Sequence, residues 1–183
     1  AELCRVSLWL EALEPGKPLS FLDHHIRVGN SLLGTTPELI AGGLPDDAFN
    51  PIEGDEKKMC STLKRRNKEE RLGQRSFMPL MVAETRKEFG SIERRLQELA
   101  AAPDATLEDI RRKAEQFSRL AVSKEYRHAQ LVADTWCAAF VWEKAPGAPA
   151  PITTDTLRRL EEDPQALTAE QAKEVELLAS RYR

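Results

Sequence analysis

The sequence predicts a mostly α-helical chain with one short strand near its start, on three observations. Apolar residues recur at helical spacing over most of the length, Pro- and Gly-rich stretches cut these patterns apart, and residues 25–28 alternate instead. Leu3, Val6, Leu10 and Leu13 fall at i, i+3, i+7 and i+10, an amphipathic helix that carries Trp9 and ends at Pro15-Gly16. Ile26 and Val28 then alternate with His25 and Arg27, a short strand that stops at Gly29, where a backbone without a Cβ permits close approach of a ligand.

Residues 36–54 read as a connection, broken by Pro37, Gly42-Gly43, Pro45, Pro51 and Gly54, with Thr36 before Pro37 placed to cap one short helical turn. From Asp55 to about Leu72 the chain is helical in propensity but poorly amphipathic. Phe89, Ile92, Leu96 and Leu99 mark the next helix, which ends at Ala102-Pro103. Thr106 and Asp109 form an approximate capping box for a helix with Ile110, Ala114, Phe117 and Ala121 on one face. A fourth pattern, Leu131, Val132, Thr135, Trp136, Ala139 and Phe140, is compatible with being its continuation. The proline-rich run 144–151 excludes helix and central strand and reads as a stiff surface connection. Two short helices follow, one over about 154–162 and one capped by Thr168 with Gln171 at the box position, running to about Tyr182. No internal repeat is visible, and the heptad-like spacing is too short for a long coiled coil.

The 183 residues, 41% hydrophobic, permit one ordinary core, while 31% charged and 6% aromatic residues lean towards exposed helices around a modest one. A formal net charge of −3 argues against a uniformly basic nucleic-acid binder. No apolar run suggests a membrane span, no leader is evident, and Cys4, Cys60 and Cys137 form neither a disulfide framework nor a Cys-x-x-Cys site, so a reducing cytoplasm is the expected compartment. The opening on Ala1 within a helical pattern suits an internal piece of a longer reading frame.

Three segments, Ala1-Glu-Leu-Cys-Arg-Val-Ser-Leu-Trp-Leu-Glu11, Gly16-Lys-Pro-Leu-Ser-Phe-Leu-Asp-His-His25 and Gly29-Asn-Ser-Leu-Leu-Gly34, together resemble one stretch of a known family. It is the adenine-specific DNA methyltransferase region of type IIG restriction-modification enzymes and of the related BREX and DISARM phage-defence methylases. Ala133-Asp-Thr-Trp-Cys-Ala-Ala-Phe-Val-Trp142 and Ser180-Arg-Tyr-Arg183 are similar to the helical stretch that precedes the family's catalytic strand. The resemblance implies a fragment of a Rossmann-like α/β sheet, one helix and one strand, followed by a helical insertion. It places the segment between the motif that holds the cofactor ribose and the catalytic Asn-Pro-Pro-aromatic motif. The implied organisation is 1–35, a partial S-adenosyl-L-methionine-binding segment; 36–54, a connecting loop; 55–143, the helical insertion; 144–152, the Pro-rich connection; and 153–183, short helices leading to the catalytic strand. Neither the family's Gly-rich cofactor loop nor its catalytic motif occurs in these residues. Asn50-Pro51-Ile52 is the nearest match, and with Ile in third place and no apolar strand leading in, it reads as a loop turn. The parent enzyme would act on double-stranded DNA, and this piece alone is expected to be inactive, with no catalytic residue of its own.

In the family an Asp or Asn at the strand end hydrogen-bonds the adenine edge of S-adenosyl-L-methionine. The resemblance thereby implies a cofactor role for Asn30, with Gly29, Ser31 and Leu32 as its wall. The plainer reading of Asn30 is a residue that tolerates a left-handed turn. Residues 57–75 hold Lys57, Lys58, Lys64, Arg65, Arg66, Lys68, Arg71 and Arg75 against Glu69 and Glu70. That strip could neutralise DNA phosphates, with Lys64, Arg65, Arg66, Lys68 and Arg71 as candidates, or be a solvated helix face. His24 and His25 would point to opposite faces of a strand and His128 is remote, so a metal site is not indicated. Trp136 and Phe140 read as core before they read as a base-stacking platform, and no cysteine has a neighbouring base. A non-enzymatic helical module that binds a protein or nucleic acid through the basic helix is the rival reading.

Overall fold

The computed structural model describes residues 2–11, 18–22, 25–26, 29–30, 32–73 and 78–182, and for 78–88 the backbone alone. Among the described residues the chain is helical, with no strand: α1 (Glu2–Glu11), α2 (Pro37–Ala41), a 3-10 turn (Asp46–Phe49), α3 (Lys57–Gly73), α4 (Met78–Ala101), α5 (Leu107–Ala121), α6 (Lys124–Val141), α7 (Thr154–Glu162) and α8 (Ala169–Tyr182). None of these helices is long and apolar enough to cross a membrane. The chain divides into two compact units that interleave in sequence, 1–29 with 90–127 and 30–89 with 128–183, so that two of the three divisions fall within helices, α4 and α6, and the third between Gly29 and Asn30.

In the first unit the helix ends are set locally. Thr106 and Asp109 make a complete capping box, the hydroxyl accepting from Asp109 N–H at 3.1 Å and the carboxylate from Thr106 N–H at 3.1 Å. Ile92, Leu99, Phe117 and Leu120 form the buried apolar set, with Phe21 edge-on to Phe117 at 5.7 Å. Lys113, on the same helix as Phe117, is buried, and its ammonium reaches Ala100 O at 3.4 Å and the Asp104 carboxylate at 3.7 Å. A cation there complements the carbonyl-bearing end of α4. The helix expected at the start is present as α1, but its apolar face is uncovered: Leu3 is 84% and Leu10 70% exposed, and no α1 residue is buried.

In the second unit Ile40, Leu44, Phe49, Leu63, Trp136, Trp142, Leu157, Leu160, Val175 and Leu178 build one core. Trp136 and Phe140 belong to it as their spacing implies, with ring centroids 4.8 Å apart. Thr36 caps α2 by accepting from Leu39 N–H at 3.4 Å, with Pro37 in the first turn. Thr168 and Gln171 cap α8 reciprocally, at 3.2 and 3.1 Å.

Three expectations are corrected. No strand forms at the described positions of 25–28: the N–H groups of His25 and Ile26 both donate to Leu22 O at 3.0 Å, a turn, while Arg27 and Val28 lie outside the described residues. With no partner strand among the described residues, such a turn is how these backbone groups are satisfied. The helix of Phe117 does not continue into that of Trp136. It stops at Ala121, and Ser123 turns the chain, its hydroxyl accepting from Tyr126 N–H at 3.3 Å to open α6. The Pro-rich connection is irregular as expected, yet it is not wholly a surface run: Lys144 is fully buried, Pro149 O accepts from Trp142 Nε1 at 3.1 Å, and Ala150 O from Gln171 Nε2 at 3.0 Å.

Candidate functional site

The Gly29–Leu32 region is an exposed turn. Asn30 Oδ1 accepts from Leu32 N–H at 3.0 Å, a short Asx turn, and Asn30 O accepts from Leu33 N–H at 3.2 Å. No described residue other than glycine has positive φ, so Asn30 holds this turn without the left-handed backbone foreseen for it. A Cβ at Gly29 would meet nothing within 4 Å, Leu32 is 90% exposed, and Ser31 lies outside the described residues. The amide oxygen uses one lone pair on Leu32 and retains a second for a further donor.

The basic residues of α3 separate into two groups. Arg66 pairs with Glu70 one turn along the same helix at 2.9 Å, whereas Arg71 binds Asp46 at 2.9 Å while donating to Leu44 O at 3.3 Å and so ties α3 to the 3-10 turn. Lys57, Lys58, Arg65 and Lys68 are exposed, and Lys64 spends one donor on Asn50 Oδ1 at 3.2 Å. Arg75 lies outside the described residues.

Beneath this helix lies a polar node that sequence reasoning missed. Asn67 is fully buried; its amide donates to Leu44 O at 2.8 Å, and its carbonyl accepts from Thr154 N–H and from the Thr154 hydroxyl, both at 2.8 Å. The Thr154 oxygen in turn accepts from Leu44 N–H at 3.0 Å. Glu70 accepts from Asp155 N–H at 3.0 Å. The N-terminus of α7, whose own Thr153 supplies no side-chain cap, is therefore capped by two side chains of α3. The spacing of Cys60, Leu63 and Asn67, i, i+3 and i+7, held the signal: an amide standing where an apolar core residue belongs.

A second buried cluster joins Asp55, Cys60 and Lys144. The Asp55 carboxylate accepts from Lys144 N–H at 2.8 Å and Ile52 N–H at 3.1 Å, and lies 3.5 Å from the Lys144 ammonium, which also donates to Trp142 O at 2.8 Å. Burial pushes this carboxyl up, but the two backbone donors and the ammonium outweigh it and hold it below its usual range. Burial, then the charge of Asp55, raises the Cys60 thiol. Cys137 is pushed up to about 11 by burial and by Asp134. Both stay protonated at neutral pH, so neither is an activated nucleophile.

His128 Nε2 meets Leu160 O at 2.7 Å, and since a carbonyl only accepts, that nitrogen carries the proton. His24 lies outside the described residues, and among the described ones no group of His, Cys, Asp or Glu could hold a metal. Comparison of the chain with protein-family models, with curated proteins and with solved structures finds no match.

Proposed function

We propose that this chain is part of an S-adenosyl-L-methionine-dependent DNA adenine-N6 methyltransferase of a restriction-modification or phage-defence system. The observation that carries the reading is the likeness of residues 1–35, above all Gly29-Asn-Ser-Leu-Leu-Gly34, to the cofactor-binding segment of that family. On this reading the lone helix and the segment at 25–28 belong to a Rossmann-like sheet whose other strands, Gly-rich cofactor loop and catalytic motif are supplied elsewhere in the parent enzyme. The bound cofactor provides an electrophilic methyl group, delivered to the exocyclic nitrogen of an adenine flipped from the duplex. This chain's own part is to bind and orient: the free lone pair of Asn30 Oδ1 accepts from the cofactor's adenine amino group, and Leu32 offers an apolar wall. The amide oxygen fits that role as an acceptor and brings no catalytic chemistry of its own.

A second reading, a non-enzymatic helical module that binds a protein or nucleic acid, is favoured by the second unit, which closes an apolar core of its own beneath an exposed basic helix. Calorimetric titration of the complete enzyme with S-adenosyl-L-methionine separates the two. Losing the Asn30 acceptor is worth about 1–3 kcal/mol, so Asn30→Ala weakens binding roughly ten- to a hundred-fold, whereas Asn30→Asp keeps most of it. Equal affinity for wild type and Asn30→Ala leaves Asn30 as a turn residue only, and no binding of S-adenosyl-L-methionine with no methyl transfer to unmethylated duplex rejects the methyltransferase reading.

A further inference from the structure

We infer that the outer face of α3 is a contact surface for the phosphate backbone of duplex DNA, formed by Lys57, Lys58, Lys64, Arg65 and Lys68. The run 57–68 holds six cations and no acid in a chain whose net charge is −3, so positive charge is gathered here against the average. At 100° and 1.5 Å per residue, the five named cations fall within an arc of about 120° over about 16 Å of helix. Cys60, Leu63 and Asn67 fall on the other side and are buried, which fixes the helix and turns the cationic arc outward. The sixth cation, Arg66, is engaged by Glu70, and Arg71 beyond the run by Asp46, so the structure narrows the contact set and extends it to Lys57 and Lys58.

The composition of the face selects the partner. Its other exposed positions in 57–68 are Ser61 and Thr62, with Arg66 to one side, and the one large apolar side chain exposed on α3 is Leu72, half-exposed near the helix end beyond the run. A membrane-surface helix needs an apolar face to insert, and a protein interface needs aromatic or aliphatic anchors; a phosphate backbone needs only positioned cations. Such contacts fix register on the duplex and read no sequence. The choice of DNA among duplex polyanions rests on the methyltransferase reading; the charge geometry does not.

The test measures anisotropy of a labelled 30-base-pair DNA duplex titrated with the full chain from 50 to 200 mM salt, without cofactor. Wild type is expected to bind with a Kd of roughly 10⁻⁴–10⁻⁶ M and a logarithmic salt slope approaching about −4. Lys57→Gln, Lys58→Gln, Arg65→Gln and Lys68→Gln together should flatten the slope by about 3–4 and weaken binding on the order of tenfold or more at 50 mM. A control of equal charge change at exposed positions elsewhere, Arg111→Gln, Lys124→Gln, Arg127→Gln and Lys173→Gln, should leave both unchanged. No salt-dependent binding by wild type, an equal loss in the control, or tighter binding to the same duplex made of RNA overturns the inference. Because no cofactor or catalysis enters, these outcomes are independent of the Asn30 titration.

Discussion

Replacing Asn67 should damage the second unit out of proportion to the atoms removed. Truncation to Ala removes the acceptor of both Thr154 N–H, at the buried start of α7, and the Thr154 hydroxyl, while Leu44 O keeps Arg71 at 3.3 Å. The N–H cannot turn elsewhere and costs about 1–3 kcal/mol; the hydroxyl can rotate, and with the space vacated by the amide it adds to that, giving about 2–4 kcal/mol against a typical total of about 5–15 kcal/mol. The readout is urea unfolding followed by tryptophan fluorescence, since Trp136 and Trp142 are both buried in this unit and Trp136 Nε1 donates to Gly43 O at 3.3 Å beside the node. Asn67→Asp refines the argument. Its carboxylate still accepts from Thr154 but sets a bare oxygen against Leu44 O, so burial and the facing carbonyl raise the folded-state pKa above the unfolded carboxylate's. A raised folded pKa means stability that is complete below the unfolded value and lost as pH rises through the folded one. The deficit of Asn67→Asp relative to wild type should therefore be smallest near pH 4, where the protonated acid can donate to Leu44 O, and grow towards pH 8. A deficit that stays flat with pH, or an Asn67→Ala variant within about 0.5 kcal/mol of wild type, refutes the node as the cap of α7.

Gly43 has φ of 73°, and a Cβ there would stand 2.8 Å from Thr154 Cγ2, whereas Gly54, at φ 95°, has open space around it. Ala at either position carries the conformational cost of about 1–2 kcal/mol. Gly43→Ala should exceed Gly54→Ala by about 1 kcal/mol or more on the same unfolding curves, and equal costs would show that Thr154 yields. Lys144→Met strands the buried Asp55 carboxylate with only its two backbone donors and the Cys60 thiol, a loss of about 3–5 kcal/mol at pH 7. In wild type the depressed Asp55 pKa contributes stability that is present above the unfolded pKa and lost as pH falls through the folded one. Without the ammonium that pKa rises, so the variant's deficit should shrink towards pH 4; a loss below about 1 kcal/mol at neutral pH would make the pair dispensable.

What the sequence determined by itself is what short-range chemistry determines. The caps at Thr36, at Thr106 with Asp109 and at Thr168 with Gln171 join residues three apart; the start of α8 follows from its cap, and α7 is bracketed by Pro151 and Pro164. The helical spacing of Trp136 and Phe140 likewise assigned them to a core before any partner was known. Asn30 was legible as a turn residue because an Asx turn spans two residues, and the cofactor role proposed for it comes from resemblance. Tertiary structure alone decided the rest. Asn67 meets Thr154 across 87 residues and Lys144 meets Asp55 across 89, and no local pattern reports a hydrogen bond closed over that distance. The same holds for the basic strip: Arg66, Arg71, Lys64 and Lys68 read alike in sequence, yet Glu70 engages the first along the helix surface and Asp46 draws the second against the 3-10 turn. Periodicity shows which face of a helix is apolar, but whether that face is covered depends on what packs there, and the bare leucines of α1 and the buried Lys113 of α5 are where the two part company.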